Sequence, residues 1–174
     1  QKLKINYSTY LGKKITRNVN LFDYNYNSGG LSNDYLGKLV KEKIISIKDD
    51  NIMFNNNKVV LNDLLIIPTN YKLILNSGQN IFFKSNSGIV LYGDLISNGS
   101  SVNPINFYGD KDNTNYSGYI LGIGPSDIFM NYVSFFDFSS TNKLDIPGSV
   151  TFYNSNVKLK NVNFNTNSSE DYLN

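Results

Sequence analysis

A short pattern recurs along the second half of the chain: a β-branched residue, one spacer and Phe. Its four copies are Ile81–Phe83, Ile105–Phe107, Val133–Phe135 and Val162–Phe164. Successive copies begin 24, 28 and 29 residues apart, a spacing typical of solenoids, whose repeats bury their inner faces only by stacking on neighbours. The pattern therefore predicts that the four Phe side chains form one aligned row inside the fold, a structural ladder.

The last two copies extend to ten residues without a gap. Ser126–Phe135 aligns on Ser155–Phe164, and in both segments two pairs of apolar residues, each pair with one spacer, occupy the same positions. Alternation with period two is the pattern of a strand that buries one face. The alignment predicts that these two segments lie in neighbouring repeats and in register.

Short β-rich runs elsewhere are separated by polar clusters such as Asn76–Gly78 and Asn98–Ser100, which mark bends. The chain contains no Ala, and about one residue in six is Asn. Asn tolerates left-handed backbone, and its amide can pair with Asn in the next repeat. We therefore predict an all-β fold, a single-stranded right-handed parallel β-helix of about four coils over residues 61–174. A β-sandwich is the alternative, although it does not require repeats to align in register.

Residues 1–60 follow a different pattern. Ser32–Asp34 precedes apolar residues at helical spacing, and Lys41 and Lys43 follow at the far end. A polar N-cap and a basic last turn are typical of a short helix. We predict one helix near residues 33–43, within an N-terminal cap or lead-in that covers the first coil.

The composition excludes several kinds of active site and partner. The 174 residues include no Cys, His or Trp and carry a net charge of +2, so thiolate and imidazole chemistry is absent. Arg17 is the only Arg among sixteen basic residues, whereas nucleic-acid readers favour the planar fork of Arg. We expect no nucleic-acid partner. No apolar run approaches the roughly 18 residues of a membrane span, so we expect none; the oligomeric state stays open.

Two stretches carry a resemblance to known β-helices. The first is Ile67-Pro68-x-x-Tyr71-x-Leu73-x-Leu75-x-x-Gly78-x-x-Ile81-x-Phe83, followed by Gly93-x-Leu95-x-x-x-Gly99 and Asn103-Pro104-Ile105-x-Phe107. It resembles the opening coils of the pectin-lyase-like group of right-handed parallel β-helix proteins. The tail, Gly148–Val157 and Glu170–Asn174, is similar to bacterial β-helix proteins, some of them associated with CotH-type proteins. The resemblance implies coils that continue past Asn174, and we expect an extracellular or cell-envelope protein.

Enzymes of the pectin-lyase-like group act on acidic polysaccharides through Asp-bound calcium, an Arg or Lys base, or paired carboxylates. Arg17 lies outside the predicted coils, and Asp127 and Asp137 lie ten residues apart, which we expect to place them on different strands of one coil. We therefore assign no catalytic or metal-ligating residue. The function predicted is a non-catalytic scaffold or binding module that contacts polysaccharide or another surface component. The alternatives are a polysaccharide lyase or glycoside hydrolase with catalytic residues partly beyond residue 174, and an adhesion or assembly segment.

The candidate binding residues lie close together in the chain: Tyr108, Asp110, Asp112, Tyr116 and Tyr119. Tyr side chains can stack on sugar rings along the extended face of a solenoid. The segment Gly109–Asn115 also clusters oxygen ligands, as calcium loops do, but Lys111 lies within it and Leu121 stands at the twelfth position, where such loops place Glu. We expect no cofactor, with calcium as the alternative.

Overall fold

The computed structural model describes residues 2–8, 14–20, 31–84, 87–110, 118–138, 148–167 and 171–173. The chain divides into two compact units, Gln1–Leu31 and Ser32–Asn174. The first unit contains an antiparallel hairpin of β1 (Lys2–Ser8) and β2 (Lys14–Asn20). Its register places Leu3 opposite Val19 and Tyr7 opposite Ile15.

The single helix in the described residues, α1, spans Leu31–Lys41. It begins and ends two residues ahead of the predicted 33–43. Leu36 is buried in the hydrophobic core of the second unit, and Lys38 and Lys41 lie in the last turn, where positive charge complements the carbonyl end of a helix. Within the described part of the chain, no helix has the length and apolar character needed to cross a bilayer.

All of the regular structure described in the rest of the second unit is β-strand, which confirms the all-β class with one short helix. An antiparallel pair comes first: β3 (Ile45–Lys48) with β4 (Asn51–Phe54). The other strands pair in parallel. They are β5 (Lys58–Leu61), β6 (Leu65–Ile67), β7 (Lys72–Asn76), β8 (Asn80–Phe83), β9 (Ile89–Leu91), β10 (Asp94–Asn98), β11 (Ile105–Tyr108), β12 (Ile120–Ile123), β13 (Asp127–Phe138), β14 (Gly148–Tyr153), β15 (Asn156–Asn167) and β16 (Asp171–Leu173).

These strands form two sheets. One has the order β3-β4-β7-β10-β13-β11-β8-β5, with β15 also paired to β13, and the other has the order β16-β14-β12-β9-β6. We call the strands β4, β7 and β10 with the first half of β13 and β15 the first arm. The strands β5, β8 and β11 with the second half of β13 and β15 are the second arm. The long strands β13 and β15 therefore belong to both arms.

The chain thus passes through the same three strand positions repeatedly. The units are β4–β6, β7–β9, β10–β12, β13–β14 and β15–β16, each paired in parallel with the next. This is five units rather than the predicted four. The difference arises because residues 51–61, which the sequence placed in the cap and at the boundary to the coils, supply β4 and β5.

The predicted alignment of the last two repeats is confirmed. Strand β13 pairs with β15 at a constant offset of 29 residues, from Asp127 opposite Asn156 to Phe138 opposite Asn167. The earlier copies are less regular, because Ile81 and not Phe83 lies opposite Phe107. A shift of two residues keeps the same face inward. Its source is the connection between β10 and β11, which is longer than that between β7 and β8.

The interior of the second arm is a row of aromatic rings. The rings of Phe107 and Phe135, and those of Phe135 and Phe164, lie 5.0 Å apart with planes within 9°. Phe83 joins the row less regularly, 6.2 Å from Phe107 at 24°. Phe138, which the sequence did not single out, is fully buried and lies edge-on to three of these rings, 5.3 Å from Phe83 and from Phe135.

The bends contain residues with left-handed backbone at equivalent positions. Asn161 has φ 51° in β15, and Tyr132, which aligns with it in β13, has φ 50°. A second bend pairs Asn154, with φ 54°, and Gly124, with φ 101°. Asn and Gly are the residues that adopt this conformation with least strain. Tyr132 is therefore the exception among these bends.

Replacing Tyr132 with Asn is expected to stabilise the fold. A bulky side chain disfavours positive φ by about 1–2 kcal/mol, and the half-buried ring of Tyr132 offsets part of this through its contacts. We expect the free energy of unfolding, measured by urea titration, to rise by up to about 1 kcal/mol. The reverse change, Asn161→Tyr, should lower it. A loss of stability in Tyr132→Asn would show that the packing of this ring outweighs its backbone strain.

Candidate binding surface

The outward face of the second arm carries a column of aromatic side chains. Phe82 on β8, Tyr108 on β11 and Phe136 on β13 lie opposite one another in the strand register. Each is the strand neighbour of an inward-facing residue, because successive side chains of a strand point to opposite faces. An outward position of this kind is usually polar. Three consecutive units therefore place an aromatic ring where the alternating pattern would place a polar residue.

The three rings stack face to face along the column. The ring centroids of Phe82 and Tyr108 lie 4.7 Å apart with planes within 11°, and those of Tyr108 and Phe136 lie 5.0 Å apart within 13°. Both faces of Tyr108 are thus covered by neighbouring rings. The predicted stacking of a sugar on the face of Tyr108 is not available in this arrangement. What the column presents outward is a row of ring edges.

The ends of the column are also defined by the register. Lys58 Nζ lies 5.3 Å from the ring centroid of Phe82, a cation–π contact on the outer side of the first ring. Val60, 40% exposed, lies opposite Phe82 in the preceding strand. At the other end Asn165 lies opposite Phe136. The aromatic column is therefore three rings long, between an aliphatic and basic end and an amide end.

A cleft of about 360 Å³ lies beside the column. Its lining residues are Phe82, Phe83, Lys84, Tyr108, Gly109, Asp110, Phe136 and Asp137. Lys84 Nζ lies 3.8 Å from Asp110 Oδ2, with the two side chains 57% and 20% exposed. A pair this exposed contributes little to stability. The pair does place an ammonium and a carboxylate at the edge of the aromatic column.

A polar column runs beside the aromatic one, two residues earlier in each strand. The register aligns Asn80 with Asn106, Asn106 with Ser134, and Ser134 with Asn163. Asn106 Nδ2 donates a hydrogen bond to Asn80 Oδ1 at 3.0 Å, so the predicted amide pairing between neighbouring units is confirmed at this pair. The outer face of the second arm therefore offers ring edges and amide or hydroxyl groups side by side.

The candidate binding residues have different locations. Tyr108 and Asp110 line the same cleft. Tyr119 is instead only 5% exposed, and its ring lies so close to Gly88 that a Cβ there would come within 2.6 Å of it. Tyr119 is therefore a packing residue. Tyr116 and Asp112 lie outside the described residues, as does most of the Gly109–Asn115 segment considered for calcium.

Sequence reasoning missed the other members of this surface, Phe82, Phe136, Lys84 and Asp137. The signal that would have found the two rings is the adjacent aromatic pair in each copy of the repeat. Phe82–Phe83, Phe107–Tyr108 and Phe135–Phe136 each place one ring inward and one outward, because side chains alternate along a strand. The inward member of each pair has a predicted role, whereas Tyr108 is the one outward member that has one.

The acidic residues on the first arm have structural partners. Asp94 Oδ1 accepts a hydrogen bond from the Asp127 backbone N–H at 2.9 Å, and Asp94 Oδ2 lies 3.7 Å from Lys72 Nζ. Asp127 Oδ1 in turn accepts from Asn156 Nδ2 at 3.1 Å. These contacts join successive units at the start of the strands. The expectation that Asp127 and Asp137 lie on different strands is wrong, because both belong to β13. Asp127 lies at its first-arm end, whereas Asp137 lines the cleft on the second arm.

Among the described residues, no group of three or more Asp or Glu side chains lies close enough to hold a metal ion.

No family model, curated protein or solved structure matches the chain. The resemblance to pectin-lyase-like β-helices, and that of the tail to CotH-associated proteins, therefore stays a prediction from the motifs, and the surface is interpreted from its own geometry.

Proposed function

We propose that the parallel strands of the second unit wind as a right-handed parallel β-helix that serves as a scaffold. The proposal is supported by the pairing of each strand with its equivalent in the next unit. Every connection between paired parallel strands is then a crossover, and such crossovers are right-handed in about 98% of proteins. A winding of this kind repeats each outward position along one line, which is how a single outward ring becomes a column.

We further propose that this scaffold is a non-catalytic binding module that contacts carbohydrate on the outer face of the second arm. The observation that supports it is the stack of Phe82, Tyr108 and Phe136 beside the cleft. Sites for small or chain-like ligands combine apolar surface with a few polar groups that fix orientation. Ring edges, which carry partial positive charge, suit the ring oxygens of a sugar, and Lys84, Asp110 and the amides of the neighbouring column suit its hydroxyls.

Binding to a panel of soluble polysaccharides, measured by calorimetry and affinity electrophoresis, tests this function. Phe136→Ala is expected to weaken the interaction by about tenfold or more, since truncation of a central aromatic side chain commonly removes over about 1 kcal/mol of binding free energy. Phe129→Ala is the matched control. Phe129 lies on the same strand but faces outward on the first arm, is half-buried, and lies opposite Ile96; its removal should leave binding unchanged.

Two results would contradict the proposal. One is the absence of binding to every polysaccharide in the panel by a folded protein. The other is shortening or unsaturation of a polysaccharide by the wild-type chain, detected by reducing-end and absorbance assays, which would show that the module is an enzyme. Equal losses in Phe129→Ala and Phe136→Ala would place the binding surface elsewhere.

A further inference from the structure

We infer the class of carbohydrate that this surface takes: an uncharged, extended glycan whose sugars are joined through opposite equatorial positions, as in β-1,4 linkage, lying along the aromatic column with one sugar per unit. The inference rests on the proposed carbohydrate function and deepens it. It follows from the spacing of the rings, from the side of each ring that is exposed, and from the charges that line the cleft.

The spacing of the column is set by the backbone. The ring centroids are 4.7 Å and 5.0 Å apart, close to the distance of about 4.8 Å between hydrogen-bonded strands. Phe82, Tyr108 and Phe136 are therefore equally spaced edges that cannot change their separation without breaking the strand pairing. A polymer that places one residue against each edge must advance by about 5 Å per residue.

Extended polypeptides and nucleic acids do not have this period. A polypeptide strand advances about 3.3 Å per residue, so side chains on one side recur at about 6.6 Å. Nucleotides advance about 3.4 Å per strand position, and single strands bind mainly by stacking bases on ring faces, which here are covered for Tyr108. A pyranose spans about 5 Å between opposite equatorial oxygens, given carbon–carbon bonds of about 1.5 Å. Diequatorially linked sugars therefore place one sugar against each ring. Successive sugars are turned over, so the two oxygen-bearing sides of the chain face the column in turn.

The ring edges and the cleft indicate which groups face the protein. The edge of an aromatic ring carries partial positive charge, so the column favours the ring and hydroxyl oxygens of a sugar. Lys84 can donate to such oxygens, and Asp110 and Asp137 can accept from hydroxyls. With two carboxylates against one ammonium in its lining, the cleft disfavours a polyanionic chain. The ligand class is therefore uncharged.

Calorimetric titration with oligosaccharides of one to six sugars tests the inference. Three series serve as probes: β-1,4-linked glucose oligomers, α-1,4-linked glucose oligomers and oligomers of an acidic sugar. Affinity for the β-linked series should rise with each added sugar up to three or four and then level off, because three rings supply the contacts. The α-linked and acidic series should bind at least about tenfold more weakly. The length of one α-linked sugar does not match the spacing of the rings, and the charge of the acidic series does not suit the cleft.

Two substitutions at Tyr108, the middle ring, test whether the column causes the dependence of affinity on oligosaccharide length. Tyr108→Ala removes the central step and should reduce the gain in affinity between two and four sugars, whereas Tyr108→Phe preserves the stack and should retain the length dependence. Tyr108→Phe also serves if the Ala variant does not fold. Binding that is independent of length or linkage, or stronger to the acidic series, overturns this inference and leaves the proposed function standing. Absence of binding to any glycan overturns both.

Discussion

Phe135→Ala is expected to lower the free energy of unfolding by about 3–5 kcal/mol. Phe135 is completely buried, its ring lies 5.0 Å from those of Phe107 and Phe164, and Phe138 meets it edge-on at 5.3 Å. Strand β13 is hydrogen-bonded to strands on both sides, so the backbone cannot collapse to fill the cavity. The lost aromatic contacts add to the loss of buried area. Urea denaturation followed by circular dichroism measures the change.

Phe136→Ala is the control for this prediction, because Phe136 is the next residue of the same strand and faces outward. It is half-buried and stacks 5.0 Å from Tyr108, so its removal should lower the free energy of unfolding by only about 1 kcal/mol. The two variants remove the same number of atoms. Similar losses in both would show that the assignment of inward and outward faces is wrong.

Gly93→Ala is expected to destabilise the fold by about 3 kcal/mol, at the upper end of the usual range for overpacking. A Cβ at this position would collide with the carbonyl oxygens of Tyr71 and Pro68. Both oxygens are held in place, since Tyr71 O accepts from the Asp94 N–H at 3.1 Å and Pro68 O accepts from the Tyr71 N–H at 2.9 Å. Backbone atoms of two successive units would have to separate to admit one methyl group. Thermal and urea denaturation of the purified variant measure the loss.

The matched control is Gly37→Ala, the same substitution in a different environment. Gly37 lies within α1, and a Cβ there would meet nothing within 4 Å. Because Gly weakens a helix interior relative to Ala, this variant should gain about 0.5–1 kcal/mol. Stabilities that change in the same direction in both variants would contradict the close packing of Gly93 against the preceding unit.

Much of the fold could be predicted because its signals are local and repeated. The spacing of Ile128, Met130 and Val133 recurs at Val157, Leu159 and Val162, and the observed register follows it residue for residue. The less regular copy at Ile81–Phe83 was predicted in the wrong register. The reason is that the connection after Asn98 is longer than its equivalent after Asn76. The length of a loop does not show in which register the strands that follow it pair.

The candidate surface was predicted only in part. Tyr108 and Asp110 were selected and do line one cleft, whereas Tyr119, selected on the same ground, is buried. Phe82 and Phe136 were not predicted as surface residues, because aromatic residues are common in strands whichever face they occupy. Which ring of an adjacent pair faces solvent depends on the register of the whole strand, and that register is set by neighbours more than twenty residues away.

By itself, the sequence determined the β-rich class, the single short helix, the period of the repeats and the residue types at the bends, because these follow from patterns within one repeat and its copy. The tertiary structure alone decided the rest. It made Phe138 the edge-on partner of the inner rings, stacked Phe82, Tyr108 and Phe136 at strand spacing, and so covered the faces of Tyr108. The physical reason is that stacking separate units brings together residues whose contacts depend on the pairing of strands distant in the chain.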